Sequence, residues 1–187
     1  MKDNKFFFTS TPSELIVTFH ILSYFNMDDS VYTHCSIRDI DNHNAYWMNP
    51  LGPLFSDLNV NSLLKLDLAG NILEGNKKIY NPTGENIHGS IYNKRLDVGA
   101  VIHFHTPSTI IISSLECGLL PVSQFSLHFF NNISYYDYNG LVLSNVDKNN
   151  VVKALSSKSA LLMRNHGAVV VGKNIQEAFF YHDWKDS

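Results

Sequence analysis

Three histidines carry the most suggestive chemistry in this sequence. His103 and His105 flank Phe104, and His166 stands in Asn165-His166-Gly167. The apolar residues before the first pair make Val98 to His105 read as a strand. Side chains two apart on a strand share a face. Both imidazoles can therefore reach one point while Phe104 turns into packing. Gly167 is expected to let the backbone turn tightly and present His166 at a sheet edge. Three neutral imidazoles with a fourth position open are the donor set of a catalytic zinc site. Imidazole also suits cobalt, iron, nickel and copper, so the identity of the ion is open. A lone pair of histidines two apart is more often ordinary, and spacing alone does not bring the two segments together.

The scaffold that must position them alternates strands and helices. Helices are expected over Glu14 to Asn26, with Ser13 as its cap, and over Glu85 to Lys94 and Ser108 to Cys117. A last helix runs from Ile175 to Trp184 with Phe180, Tyr181 and Trp184 as its apolar stripe. Asn61 to Lys65 reads as a helical turn. Strands are expected over Val31 to Arg38, Ala45 to Met48, Leu64 to Asp67, Asn71 to Glu74, Ala160 to Met163 and Ala168 to Val171. Ile133 to Tyr138 and Leu141 to Leu143 read as further short strands. Gly70 supplies the positive φ of the hairpin it punctuates. Interleaved elements of this kind predict an α/β layered domain.

The 187 residues fit one domain, 1–187, able to bury a core without staples. With 44% hydrophobic and 17% charged residues the chain is globular rather than disordered. The net charge of −3 and the lack of a basic stripe argue against nucleic acid and against an anionic membrane surface. No apolar run is long enough for a membrane span. A cytoplasmic protein is the expectation, with Cys35 and Cys117 as buried free thiols.

Beyond the histidines, several segments have a familiar pattern. Asp97 to Pro107, with its paired histidines, and Ala160 to Gly167, ending Arg164-Asn165-His166-Gly167, resemble the class II aldolase/adducin family. So do Tyr32 to Arg38, Asn49 to Gly52 and Lys65 to Gly75, in the same order along nearly the whole chain. The resemblance implies a three-layer α/β/α sandwich around a mostly antiparallel sheet. It implies that His103, His105 and His166 converge on a metal, commonly zinc. It further implies Lewis-acid stabilisation of an enediolate from a small hydroxy-carbonyl compound, sugar phosphates among them. Homo-oligomers, often tetramers, are common in the family.

Measured against that pattern, this chain departs at several positions. The aldolases carry an acid/base carboxylate four residues before the histidine matching His88, and Gly84 stands there. Glu85 is the adjacent candidate for catalysis, but one residue turns a helical side chain by about 100°. In the phosphate loops, Thr33-His34 replaces a glycine-asparagine pair, Leu51 a threonine and Pro82-Thr83 a serine pair. His34, Gly52 and Thr83 remain as candidates for substrate binding, and Arg38 as a support for the loop after it. Three readings follow: a carbon–carbon lyase or isomerase of carbohydrate metabolism, a non-catalytic adducin-like binding module, or a truncated inactive remnant.

Overall fold

The computed structural model describes residues 10–137, 140, 142 and 144–183. Among these residues eight strands form one sheet: β1 (His34–Arg38), β2 (Ala45–Met48), β3 (Leu64–Asp67), β4 (Ile72–Glu74), β5 (Ala100–Phe104), β6 (Ile133–Tyr136), β7 (Ala160–Met163) and β8 (Gly167–Gly172). Their order across the sheet is β4-β3-β2-β1-β5-β8-β7-β6. Every pairing is antiparallel except β6 with β7. Among the described residues the α-helices are α1 (Pro12–Tyr24), α2 (Pro82–Lys94), α3 (Pro107–Ser114), α4 (Gln124–Leu127), α5 (Asn145–Leu155) and α6 (Ile175–Asp183).

Two hydrophobic cores lie on opposite faces of the sheet, because successive strand residues point to opposite sides. Cys35, Ile37, Ile102, Phe104 and Val170 pack with Leu15, Phe19 and Leu22 of α1 and Ile175 and Ala178 of α6. Tyr46, Leu66, Val101, Leu161 and Val169 pack with Ile87, Ile91 and Tyr92 of α2 and Val151 and Leu155 of α5. The result is a three-layer α/β/α sandwich with a mostly antiparallel sheet. Each fully buried large side chain contributes about 1.5–3 kcal/mol.

Local chemistry sets where elements begin. Thr11, not Ser13, caps α1: its hydroxyl accepts from the Glu14 N–H, and the Glu14 carboxylate accepts from the Thr11 N–H at 2.7 Å. Pro12 then occupies the first turn, where its missing N–H costs nothing. Asn81 caps α2, which begins at Pro82, three residues before the expected Glu85. Arg38 is buried and donates to the carbonyls of His43, Tyr92, Arg95 and Val98, tying β1 to the segments after β1, α2 and before β5.

Other expectations shift. The turn expected over Asn61 to Lys65 is a short 3-10 helix, Val60–Ser62. Helix α5 was not legible: its run is polar, and a Ser144–Asp147 capping box defines its start. The buried face of α6 is Ile175, Ala178 and His182, a helical spacing, while Phe180 lies 36% exposed. Trp184, Tyr138, Leu141 and Leu143 lie outside the described residues. Cys35 is buried as expected, whereas Cys117 is exposed, and both are free. Among the described residues, no helix is long and apolar enough to cross a membrane.

Candidate metal centre

Strand β5 runs down the middle of the sheet, where it pairs with β1 on one side and β8 on the other. Its register sets His34 opposite His103 on β1 and Val169 opposite His103 on β8. His103 shares the face of Val101 and points into the α2 layer. His105 lies just past the strand end. The chain there leaves the sheet and enters α3, with Pro107 at the helix start.

His166 belongs to the tight link between β7 and β8. Its N–H donates to the Met163 carbonyl at 3.1 Å. The residue with left-handed backbone is Asn165, φ 57°, rather than Gly167. Gly167 is needed for a different reason. A Cβ there would press on the Phe104 carbonyl and sit 2.8 Å from His105 Cδ2. The bare glycine lets the link close onto β5 and brings the His105 and His166 rings into a stack 5.0 Å apart.

The geometry joins the two segments. His105 Nε2 lies 2.9 Å from His103 Nε2 and 3.1 Å from His166 Nε2. The set of three could hold one metal ion. His103 Nδ1 lies 3.0 Å from the Ala168 carbonyl oxygen. A carbonyl only accepts, so Nδ1 carries the hydrogen and Nε2 carries the lone pair. His105 Nδ1 faces the Asp29 carboxylate at 3.3 Å, which favours the same tautomer. Two Nε2 lone pairs then point at each other across 2.9 Å, an arrangement that a cation between them relieves. Nitrogens across a tetrahedral zinc stand roughly 3.3 Å apart for bonds of about 2.0–2.1 Å. The donor set therefore fits a divalent transition ion.

Electrostatics favour the neutral form of all three histidines. Burial is the main cause that pushes His103 well below the ordinary histidine range, with the neighbouring histidines adding to it. Burial likewise lowers His166 to about 4. It also lowers His105, against the opposing pull of Asp29. Neutral imidazoles are what a metal requires.

The candidates for substrate contact divide. His34 and Thr83 line the cavity in front of the histidines, whereas Gly52 does not and its neighbour Leu51 does. Glu85, the catalytic candidate, lines a different cavity with Lys148 and Asn93. Its carboxylate accepts from the Tyr80 hydroxyl at 3.1 Å and lies 3.5 Å from Lys148 Nζ. The cause is the helical turn per residue: Gly84 faces Met48 and Asn81, while Glu85 points toward Gly70 and Gly89.

The structure adds residues that the spacing did not single out. Asp29, Tyr32 and Asn81 line the cavity. Behind His34 runs a buried polar chain. His34 Nδ1 meets His88 Nε2 at 2.7 Å, His88 Nδ1 meets Ser36 Oγ at 2.5 Å, and Ser36 Oγ meets the Tyr92 hydroxyl at 2.8 Å. The signal was present in the sequence as His34 and Ser36 two apart on a strand, and His88 and Tyr92 four apart on a helix. Asp29 sits in an irregular loop, where no periodicity marks it.

Comparison with known proteins gives this geometry a context. The family profile for the Class II Aldolase and Adducin N-terminal domain matches residues 13–184. A Caulobacter vibrioides protein, provisionally named an aldolase class 2 protein, is 31% identical over 89% of this chain and 65% of its own length. Alpha-adducin from Rattus norvegicus is 33% identical over 90% of this chain, which spans only 23% of that relative. An aldolase II superfamily protein from Pseudomonas syringae superposes with a TM-score of 0.90 at 30% identity, over 94% of this chain and 71% of that one. An L-fuculose 1-phosphate aldolase from Glaciozyma antarctica superposes at 0.82 with 25% identity, over 94% and 70%. With the match covering nearly all of its length, the chain belongs to the Class II Aldolase and Adducin N-terminal domain family.

Proposed function

We propose that this chain, acting as one domain over 1–187, is a metal-dependent lyase or isomerase of a small hydroxy-carbonyl compound. The observation that carries the reading is the convergence of His103, His105 and His166, which line a cavity of about 470 Å³. Zinc, or another divalent transition ion, would be held by those three side chains. When bound, such an ion supplies Lewis acidity toward neighbouring carbonyl and hydroxyl oxygens. Ala168 and Asp29 would orient the ligands, and His34 and Thr83 would contact the substrate. The family likeness further supports a homo-oligomer and a role in carbohydrate metabolism.

Retro-aldol, dehydration and decarboxylation assays on the metal-loaded protein test this reading. Turnover should appear in one of them and be lost in His103→Ala and His105→Ala. Turnover that survives both changes would sink it.

A second reading, an adducin-like binding module, is favoured by one observation. Glu85 lies outside the histidine cavity, and Asp29, the carboxylate that lines it, faces His105. This reading predicts metal binding with no turnover in any of the three assays.

A further inference from the structure

The cavity in front of the histidines has an uneven chemistry. Leu51, Ile87, Ile110 and Val142 give it an apolar wall. Among the described residues that line it there is no lysine or arginine, and its formal charge comes from Asp29. A phosphate group is normally held by such cations or by free backbone N–H groups at a helix start.

The helix start that opens on this cavity has already used its donors. The Thr83 and Gly84 N–H groups both donate to Asn81 Oδ1, at 3.1 and 3.2 Å. The Thr83 hydroxyl donates to the same oxygen at 2.8 Å. Pro82 has no N–H to offer. The Leu51 N–H donates to the Ile79 carbonyl at 2.8 Å. An anion here would have to displace the cap of α2 and sit against an isobutyl group.

We infer that the site selects an unphosphorylated hydroxy-carbonyl compound whose carbon chain ends in a short apolar group seated against Leu51, Ile87 and Val142. This inference rests on the metal-dependent reading above. An alkyl terminus matches the wall, whereas a phosphate dianion at that end would be desolvated with no lysine or arginine among the described lining residues to pair it.

Calorimetric titration of the zinc-loaded protein with three hydroxamates tests it. These are N-hydroxyglycolamide, its phosphate ester, and N-hydroxy-2-hydroxy-4-methylpentanamide. The branched alkyl ligand should bind at least about tenfold tighter than the glycolamide, and the phosphate ester no tighter than the glycolamide. Leu51→Ser should cut the alkyl preference about fivefold. A phosphate ester that binds about tenfold tighter than its parent, or equal affinities for all three, would overturn the inference while leaving the metal site intact. Failure to take up zinc, or to bind any of the three, would overturn both this inference and the metal-dependent reading.

Discussion

His103 donates its Nδ1 hydrogen to the carbonyl of Ala168, one residue past the glycine that begins the neighbouring strand β8, at 3.0 Å. That bond fixes the imidazole ring and leaves Nε2 as the lone pair that meets His105 and His166. The main chain of β8 thus sets the tautomer of a residue on β5. No side-chain substitution at Ala168 can remove the acceptor, so this part of the site is carried by strand register rather than by residue type.

Asp29 is open to direct change. Its carboxylate faces His105 Nδ1 and is 45% exposed, so Asp29→Asn should leave the fold intact. Partners of this kind typically affect metal affinity 10–100-fold, roughly. Competition with a chromophoric chelator should show a loss in that range with an unchanged circular dichroism spectrum. Unaltered affinity would remove Asp29 from the site.

Gly167 makes a steric prediction. An added methyl would push on the Phe104 carbonyl and the His105 ring. Overpacking of this kind costs about 1–3 kcal/mol. Gly167→Ala should lower the urea midpoint correspondingly and weaken metal binding at the same time. A variant with native stability and native affinity would show that the link between β7 and β8 does not constrain the histidines.

The buried His88 makes a prediction about acid. Burial lowers it from an ordinary value of 6.5 to about 3. The unfolded chain then binds a proton that the folded chain does not, throughout that window. Stability from this group is complete above about pH 6.5 and is lost as pH falls toward 3. The expected slope is about 1.4 kcal/mol per pH unit for this one histidine. Urea denaturation of the metal-free protein at pH 7 and pH 5 measures it, and His88→Gln should flatten the slope. Equal stability of the wild-type protein at the two pH values would contradict the assignment.

Much of the scaffold was legible because its strands are short apolar runs with clear boundaries. β2, β3 and β7 fall where alternation and apolar composition put them. Helix α5 escaped because its polar sequence buries only a narrow face, with Val151 and Leu155 fully covered. The histidine pair at the end of β5 and the distant His166 were each visible, but their meeting was not. It depends on the order β5-β8-β7 and on a bare Gly167, which are properties of pairing and packing. Gly52 and Glu85 illustrate the opposite limit. Both stand next to site positions in sequence, yet one residue of offset turns Glu85 into another cavity and leaves Gly52 off the lining.

The most direct test of the central claim is elemental analysis of metal per chain after identical zinc loading and desalting. The wild-type protein should hold about one ion per chain, and His103→Ala and His166→Ala should each hold close to none. Equal metal content in all three proteins would contradict a site built from these histidines.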